Sequence, residues 1–387
     1  MEHMINDLSV ILVAAAVLSC LAIFFRQPLI IAYILGGILV GPPVFGFVKN
    51  VELIQNISHL GVTLLLFLAG LCLHPQKLIR IFHEAFAATL VVSLMSFGLA
   101  FAFASFLRLT MMESVCAGLA MMFSSTILTV KLLPTTRLHH QRMGAICIGI
   151  LIIQDLMAVA ALVFLRSLES PGSAMMTFML QMVKLAALIG ALFLVEQYVL
   201  RRIMSRVDRF HEVLFMLGLA WCFGVAALSH SLGLFDATGA FFAGVVMARH
   251  PIALFISEEL KPLRDFFLVL FFFALGAELN LPLLKDVFVP AAILAAVFVA
   301  IKPFLFRIFL RRAGETEAFA AETGFRLGQL SEFSLLIALL AFDLGQISER
   351  ASQFIQLTTI LTILISSYIV VFRFQTPIGP SEELIKD

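Results

Sequence analysis

Apolar runs of about twenty residues follow one another along nearly the whole chain, and each is long enough to cross a bilayer core as a helix. Thirteen such candidate spans lie near residues 8–25, 29–47, 54–73, 85–107, 114–133, 143–165, 178–200, 211–229, 233–248, 263–279, 287–306, 318–342 and 352–372. Because 61% of the residues are hydrophobic and 13% are charged, a polar surface could not cover this chain in water. The runs are continuous, whereas a membrane barrel would alternate apolar and polar residues. The sequence therefore predicts an all-α integral membrane protein with about 13 transmembrane helices.

Basic residues in the connections between the runs predict how the chain is oriented. If the N-terminus lies outside, nineteen Lys and Arg residues fall on the cytoplasmic side and five on the outer side. Cytoplasmic loops carry the excess of such residues, so we expect a multi-pass protein with its N-terminus outside and its C-terminus in the cytoplasm. The first run has no basic region or cleavage pattern before it, which indicates a retained span. The net charge of +1 gives no sign of a nucleic-acid partner, and membrane lipid is the expected surrounding.

One acidic residue, Asp155, stands in the middle of the otherwise uncharged stretch Met143–Leu165. Ionising a carboxylate at that depth costs roughly 2.5 kcal/mol or more, unless water or a cation reaches it. Protonation is the other way to remove the cost. The position therefore indicates a site where H+ and a metal ion compete. The alternative is a structural carboxyl group that a neighbouring hydroxyl or amide satisfies.

Two of the apolar spans contain polar interruptions in corresponding places. They are Ser124, Ser125 and Thr126 in the span 114–133, and Gly328, Gln329, Ser331 and Glu332 in the span 318–342. A helix broken inside a membrane exposes backbone carbonyls and amides that can coordinate an ion. The alternative is that the hydroxyl groups bond back to their own helix turn. The odd number of spans and this weak internal echo predict an extra first helix followed by two inverted repeats of six helices, with the broken helices crossing.

A second charge inside a span is Lys302, which Pro303 follows in the span 287–306. A paired charge costs less inside a membrane than two isolated ones, so we expect Lys302 to be the charge partner of Asp155. A kink at Pro303 and a long side chain would bring the two together. The alternative is that Lys302 extends to the cytoplasmic face as an anchor.

The residues that carry chemistry resemble a known family in their identity and their order. They are Ser124-Ser125-Thr126, Gln154-Asp155, Gly239 to Gly244, Phe271-Phe272 through Gly276 to Leu279-Asn280, Lys302, and Gln329 with Glu332-Phe333-Ser334. This set is similar to the monovalent cation:proton antiporter-2 family, and most similar to its Kef-type potassium efflux antiporters. The resemblance implies one antiporter domain over residues 1–387, which forms a homodimer in a bacterial inner membrane. It further implies a scaffold of helices at about 8–73 and 178–279 that holds the dimer interface. A six-helix core at about 85–165 and 287–372 then carries the ion by an elevator-like movement.

On this resemblance, Asp155 binds either a proton or a dehydrated K+ or Na+. Its expected ion-binding partners are Gln154, Ser125 and Thr126, with Asp155 and Thr126 as the direct ligands of the monovalent cation. Lys302 would hold the empty carboxylate, and Ser124, Gln329 and Glu332 would support the core. Related electrogenic sodium/proton antiporters carry Asp-Asp where this chain has Gln154-Asp155, and the Gln-Asp pair is associated with K+/H+ exchange.

Several alternatives stay open. A Na+/H+ antiporter would use the same site, and a cation uniporter or channel would need no coupled proton. An organic-anion transporter would favour cationic or amide-rich groups, and an intramembrane aspartyl protease would require two facing acids. We expect a transporter that is not an enzyme and has no cofactor.

The chain also departs from Kef-type antiporters in several places. Cys72 and His74 stand where the family usually has acids, and Asp236 is an unexpected acid near the outer end of its span. His139 and His140 are expected to be ordinary loop histidines. No G-x-G-x-x-G motif of a cytoplasmic nucleotide-binding domain is present. The chain is therefore expected to lack that control, to use a separate cytoplasmic regulatory subunit, or to be truncated.

Overall fold

A computed structural model describes residues 2–25, 27, 29–48, 51–71, 75–133, 142–168, 174–207, 209–250 and 252–376. The described chain is helical, as the sequence predicts. The helices are α1 Glu2–Phe24, α2 Leu29–Val40, α3 Val51–Leu71, α4 Pro75–Phe106, α5 Met111–Ala120, α6 Thr126–Leu132, α7 Arg142–Ser167, α8 Ala174–Val195, α9 Arg201–Val207, α10 His211–Ser231, α11 Asp236–Met247, α12 Ile252–Glu259, α13 Lys261–Ala277, α14 Leu281–Arg312, α15 Glu317–Arg326, α16 Glu332–Asp343 and α17 Glu349–Arg373. A π-helical turn, Glu196–Leu200, joins α8 to α9.

Seven helices in the described part are long and apolar enough to cross a membrane, judged by length and composition. They include α7, which carries Asp155, and α14, which carries Lys302. Four further apolar helical stretches are shorter: 29–40, 59–71, 111–120 and 236–247. The total of thirteen spans and the inverted repeats stay predictions.

The chain forms two compact units, each built from two separate stretches. The first contains residues 1–77 and 163–279, and the second contains residues 78–162 and 280–387.

In the first unit, glycine residues allow pairs of helices to approach closely. A Cβ atom at Gly244 of α11 would lie 2.1 Å from the backbone oxygen of Phe67 in α3, and one at Gly276 of α13 would lie 2.1 Å from that of Ile34 in α2. Small residues at such crossings are common in membrane proteins, because packing rather than hydrophobic burial holds helices together there. Two glycines of the motifs quoted above thus have a packing role in this unit.

The second unit is organised around α14, which packs against α15 and α17. Helices α5 and α16 also pack against each other, and α16 packs against α17. The α14–α15 contact is close, because a Cβ atom at Gly324 would lie 2.5 Å from the backbone oxygen of Pro303. Polar residues fix the helix starts: Thr110 and Glu113 form a capping box for α5, and Ser348 caps α17.

Candidate functional site

Two helices of the second unit are interrupted at the polar segments singled out in the sequence. Helix α5 ends at Ala120 and α6 begins at Thr126, while α15 ends at Arg326 and α16 begins at Glu332. Carbonyl groups at the end of a helix have no partner four residues further on, so side chains or a ligand must satisfy them. Each candidate span, 114–133 and 318–342, is therefore a pair of shorter helices, and the backbone groups between them need partners from outside their own helix.

Side chains join the two interruptions directly. The Ser124 hydroxyl donates to the Leu327 carbonyl at 2.8 Å, and the Thr129 hydroxyl donates to the Arg326 carbonyl at 3.0 Å. Gln329 Nε2 donates to Thr129 Oγ1 at 2.9 Å and to the Ser125 carbonyl at 3.4 Å. These bonds are buried, so the segments 121–125 and 327–331 lie against each other inside the second unit. Ser124 and Gln329, predicted as supporting residues, both take part in this contact.

Lys302 reaches the same place from α14. Its ammonium group donates to the Phe123 carbonyl at 2.6 Å and to the Gln329 carbonyl at 3.3 Å, and its side chain is fully buried. Lys302 thus supplies hydrogen-bond donors to one carbonyl from each interruption.

The structure does not form the predicted ion pair between Lys302 and Asp155. Neither side chain takes part in an ion pair within the described part of the chain. The physical reason is that the interruptions leave carbonyl oxygens free to accept the ammonium protons, so no carboxylate is needed to satisfy Lys302. The alternative of an anchor at the cytoplasmic face does not describe it either, because the side chain is buried and bonded internally.

Asp155 is 2% exposed and lies on α7 beside the first residue of α6. The Thr126 hydroxyl is 3.2 Å from one carboxylate oxygen of Asp155 and 3.3 Å from the other. Within the described residues this is the only hydrogen bond to the carboxylate, which can accept several more. Asp155 therefore keeps free acceptor positions for a proton or a cation, and Thr126 is the predicted ligand that the structure brings to it.

Gln154 holds the first interruption with both ends of its amide group. Its Oε1 accepts from the Ser124 backbone amide at 2.9 Å, and its Nε2 donates to the Met122 carbonyl at 3.3 Å and to the Ser93 hydroxyl at 3.2 Å. The amide orientation is fixed by its partners, because one side faces an N–H group and the other a carbonyl. These contacts position the first interruption, and the predicted role of Gln154 in ion binding stays a prediction.

Ser125 is also occupied by the backbone. Its hydroxyl oxygen accepts from the Leu128 amide at 3.1 Å and caps α6, while its carbonyl accepts from Thr129 at 2.7 Å. The predicted role of Ser125 in ion binding stays a prediction, and no hydrogen bond joins it to Asp155 in the described part of the structure.

Glu332 occupies the first turn of α16, where a negative charge is favourable because unsatisfied amides leave the helix start partly positive. The Ser331 hydroxyl, one residue earlier, accepts from the Phe333 amide at 3.2 Å. Glu332 therefore stands at the edge of the second interruption, and its supporting role stays a prediction.

Arg326 is a site residue that sequence reasoning counts only as one cytoplasmic charge. Its side chain is 0% exposed and bonds to Glu322 Oε1 at 2.7 Å, to the Leu132 carbonyl at 2.8 Å and to the Gln375 carbonyl at 2.8 Å. Its guanidinium carbon also lies 5.8 Å from the Phe374 ring centroid. Arg326 is the last residue of α15, directly before the second interruption. Its bonds therefore join this point to the end of α6 and to the segment after α17.

The sequence also gives little indication of three hydroxyl residues of the site, which are Ser93, Thr129 and Ser366. Ser366 on α17 donates to Gln329 Oε1 at 3.1 Å and so completes the bonding of that amide. Each is one polar residue in an apolar run, which is a weak signal because such hydroxyls commonly bond to their own helix.

Asp236, another residue singled out in the sequence, lies in the first unit. Its side chain, on the first residue of α11, is 47% exposed, and its Oδ1 lies 2.8 Å from Nδ1 of His230. Cys72, His74, His139 and His140 lie outside the described residues.

Comparisons with known proteins agree with this architecture. The chain is 28% identical over 363 residues to the iron transporter MagA of Paramagnetospirillum magneticum, covering 93% of this chain and 83% of that protein. It is 27% identical over 343 residues to the glutathione-regulated potassium-efflux system protein KefC of Klebsiella pneumoniae, covering 87% of this chain and 55% of KefC. It is 28% identical over 376 residues to K(+) efflux antiporter 4 of Arabidopsis thaliana, covering 94% of this chain and 62% of that protein. The chain thus spans about half the length of its KefC relatives.

A solved structure shares the fold. The sodium proton antiporter MjNhaP1 of Methanocaldococcus jannaschii at pH 8 superposes with a TM-score of 0.73 over 94% of this chain and 95% of its own, at 17% identity. The relatives are named as transporters and antiporters, in agreement with the expectation that the chain is not an enzyme. The family model described as sodium/hydrogen exchanger, transmembrane, matches residues 9–375. This match shows that the chain belongs to the sodium/hydrogen exchanger family, and its Kef-type relatives agree with the resemblance to the monovalent cation:proton antiporter-2 family.

Proposed function

We propose that the chain is a secondary active antiporter that exchanges K+ for H+ by alternating access around Asp155. One observation carries the proposal: a buried carboxylate beside two interrupted helices accepts a single described hydrogen bond, from Thr126. A carboxylate left that poor in partners must gain a proton or a cation to be stable at membrane depth. A conformational change then exposes Asp155 to one side of the membrane at a time.

The remaining groups of the site have roles that follow from their contacts. Gln154, Lys302 and Gln329 hold the carbonyls and amides of the interruptions in place, so the cation meets a preformed site. The unit that contains Asp155 is the transport core in this proposal, and the other unit is the scaffold of a homodimer. Thirteen spans in two inverted repeats, an outer N-terminus, a bacterial inner membrane and a separate cytoplasmic regulatory subunit belong to the same proposal.

Support for K+ comes from two sources. KefC and the Arabidopsis relative are named for potassium efflux, and Gln154 replaces the second acid of electrogenic sodium/proton antiporters. Exchange of Na+ at the same site is the second candidate, because the structural neighbour is named a sodium proton antiporter.

MagA is named an iron transporter, yet the described residues contain no group of three His, Cys, Asp or Glu side chains that could hold a metal ion. The oxygen donors around Asp155 suit a hard alkali cation better than a transition metal.

The test uses purified protein in proteoliposomes that contain a pH-sensitive dye. Addition of K+ should move protons in the opposite direction, Na+ should act more weakly, and Fe2+ should have no effect. Asp155→Asn should abolish the exchange. Asp236→Asn is the matched control, because it removes an exposed carboxylate and should retain full exchange. Unchanged exchange in Asp155→Asn would refute the assignment of the site, and K+ flux without a pH change would indicate a uniporter.

A further inference from the structure

Five arginines of the first unit form a basic cluster. Arg201, Arg202 and Arg206 lie on α9, Arg209 follows that helix, and Arg249 follows α11. All five are exposed, and none takes part in an ion pair within the described residues. We call these five residues the arginine cluster.

The cluster is assembled from two separate segments of the chain. The Arg249 guanidinium carbon lies 5.1 Å from the ring centroid of Phe193, which is near the end of α8. The next residue, His250, lies close enough to Arg201 and Glu196 to interact with both electrostatically. The end of α11 therefore meets the junction of α8 and α9, and the positive charges of the two segments add.

The acidic side chains nearby do not neutralise this charge. Glu258 pairs with Lys261, Asp265 pairs with Arg264, and Glu259 lies 3.9 Å from His211. Two carboxylates remain in the described part of this region: Glu196, which is buried, and Glu212, which is exposed. In the sequence Asp208 also lies between Arg206 and Arg209, so five guanidinium groups stand against three carboxylates. The region therefore keeps a net positive charge, which favours an anionic ligand.

Exposed side chains with large apolar surfaces lie among the arginines in the sequence. Tyr198 is 56% exposed, Ile203 is 42% exposed and Phe210 is 62% exposed. An apolar side chain among arginines is costly in water but favourable where acyl chains meet headgroups, and tyrosine is enriched at that depth. A soluble anion would satisfy the guanidinium groups and leave these three side chains in water.

From these observations we propose that the arginine cluster binds the phosphate of an anionic phospholipid, whose acyl chains cover Tyr198, Ile203 and Phe210. The planar guanidinium fork matches two phosphate oxygens, which favours arginine over lysine for this task. Basic residues beside a membrane attract anionic headgroups in the same way. The proposal does not depend on which ion is exchanged, and it places the lipid in the cytoplasmic leaflet if the N-terminus lies outside.

The experiment measures lipid binding to the purified full chain in detergent, without any transport reading. The probes are phosphatidylglycerol, phosphatidylcholine with the same acyl chains, and inorganic phosphate, and the readouts are native mass spectrometry and the melting temperature. The test variant is Arg202→Gln/Arg206→Gln/Arg209→Gln, which leaves the groups next to buried Glu196 intact. The matched control, Arg142→Gln/Arg264→Gln/Arg311→Gln, removes the same charge from arginines that already pair with Glu315, Asp265 and Glu317.

Phosphatidylglycerol should bind the unchanged chain and the control and raise their melting temperature, whereas phosphatidylcholine and phosphate should not. The test variant should bind phosphatidylglycerol about a hundredfold more weakly, since each basic residue near an anionic surface contributes about fivefold. Arg202→Lys/Arg206→Lys should fall between the two and guards against misfolding of the triple variant. Equal binding by test variant and control, or an equal shift with inorganic phosphate, would overturn the proposal. Either result would leave the proposed antiport untouched.

Discussion

Replacing Gln154 with leucine tests whether this side chain positions the first interruption. Leucine has a similar volume and fits an apolar surrounding, so the change removes polar contacts with little change in packing. Gln154 is fully buried, and its amide satisfies the Ser124 N–H and the Met122 carbonyl while donating to Ser93. The Ser93 hydroxyl can rotate to another acceptor, but the two backbone groups cannot.

The magnitude follows from those two orphaned groups. A buried donor or acceptor left without a partner costs about 1 to 3 kcal/mol, so Gln154→Leu should destabilise the native site by roughly 2 to 6 kcal/mol. The segment 121–125 can avoid part of this cost by shifting, which would move Thr126 away from Asp155. We therefore expect a lower melting temperature together with a higher apparent KM for the transported cation.

The assay compares melting temperature with cation-dependent proton flux in proteoliposomes. The matched control is Gln356→Leu, because Gln356 is also a buried glutamine, but within the described residues its Nε2 bonds to the Ser352 hydroxyl and to no group of the interruptions. The control should lower the melting temperature less and leave the apparent KM unchanged. If Gln154→Leu kept the melting temperature and KM of the unchanged chain, the positioning role would be refuted.

Four further predictions follow from the same contacts. Thr126→Val should raise the apparent KM for the cation about ten- to hundredfold, since a hydrogen bond to a charged group contributes about 1.5 to 3 kcal/mol, and Thr126→Ser should restore it. Lys302→Met should lower the melting temperature and the exchange rate, because the Phe123 and Gln329 carbonyls lose their donor; an unchanged melting temperature would contradict the contacts. Arg326→Gln should destabilise the chain more than Arg142→Gln, whose guanidinium is exposed, and equal melting temperatures would count against the buried network. Burial, and then the charge of Arg201, lower the pKa of His250, so the folded chain binds fewer protons there and loses stability as the pH falls below the usual histidine pKa. His250→Gln should therefore flatten the fall in melting temperature between about pH 7 and pH 5, and an identical pH dependence in both proteins would refute this.

The sequence is most informative where a residue contradicts its surroundings. Asp155 and Lys302 stand out because a charge in an apolar run is costly, and both lie buried in the second unit. The runs around Ser124 and Gln329 also coincide with helix ends, because polar residues that cap or bridge a break leave a visible pattern.

The partners of these residues could not be predicted in the same way. Periodicity and composition do not say which carbonyl an ammonium will reach, so the bonds of Lys302 to Phe123 and Gln329 appear only in three dimensions. Burying the charge of Arg326 costs free energy, as it does for any charged side chain. Its position near the start of a candidate span, however, is typical of a cytoplasmic loop residue. The contribution of α17 was also hidden, although Ser352, Gln356 and Ser366 recur at helical spacing and a search for buried polar faces could have found them.

The most direct test is the apparent KM for K+ as a function of pH in proteoliposomes, with equal pH on both sides of the membrane. If one carboxylate holds either the proton or the cation, acidification should raise KM about tenfold per pH unit at low pH, while the maximal rate at saturating K+ stays constant. A KM that does not change with pH, while the maximal rate falls, would contradict competition at Asp155.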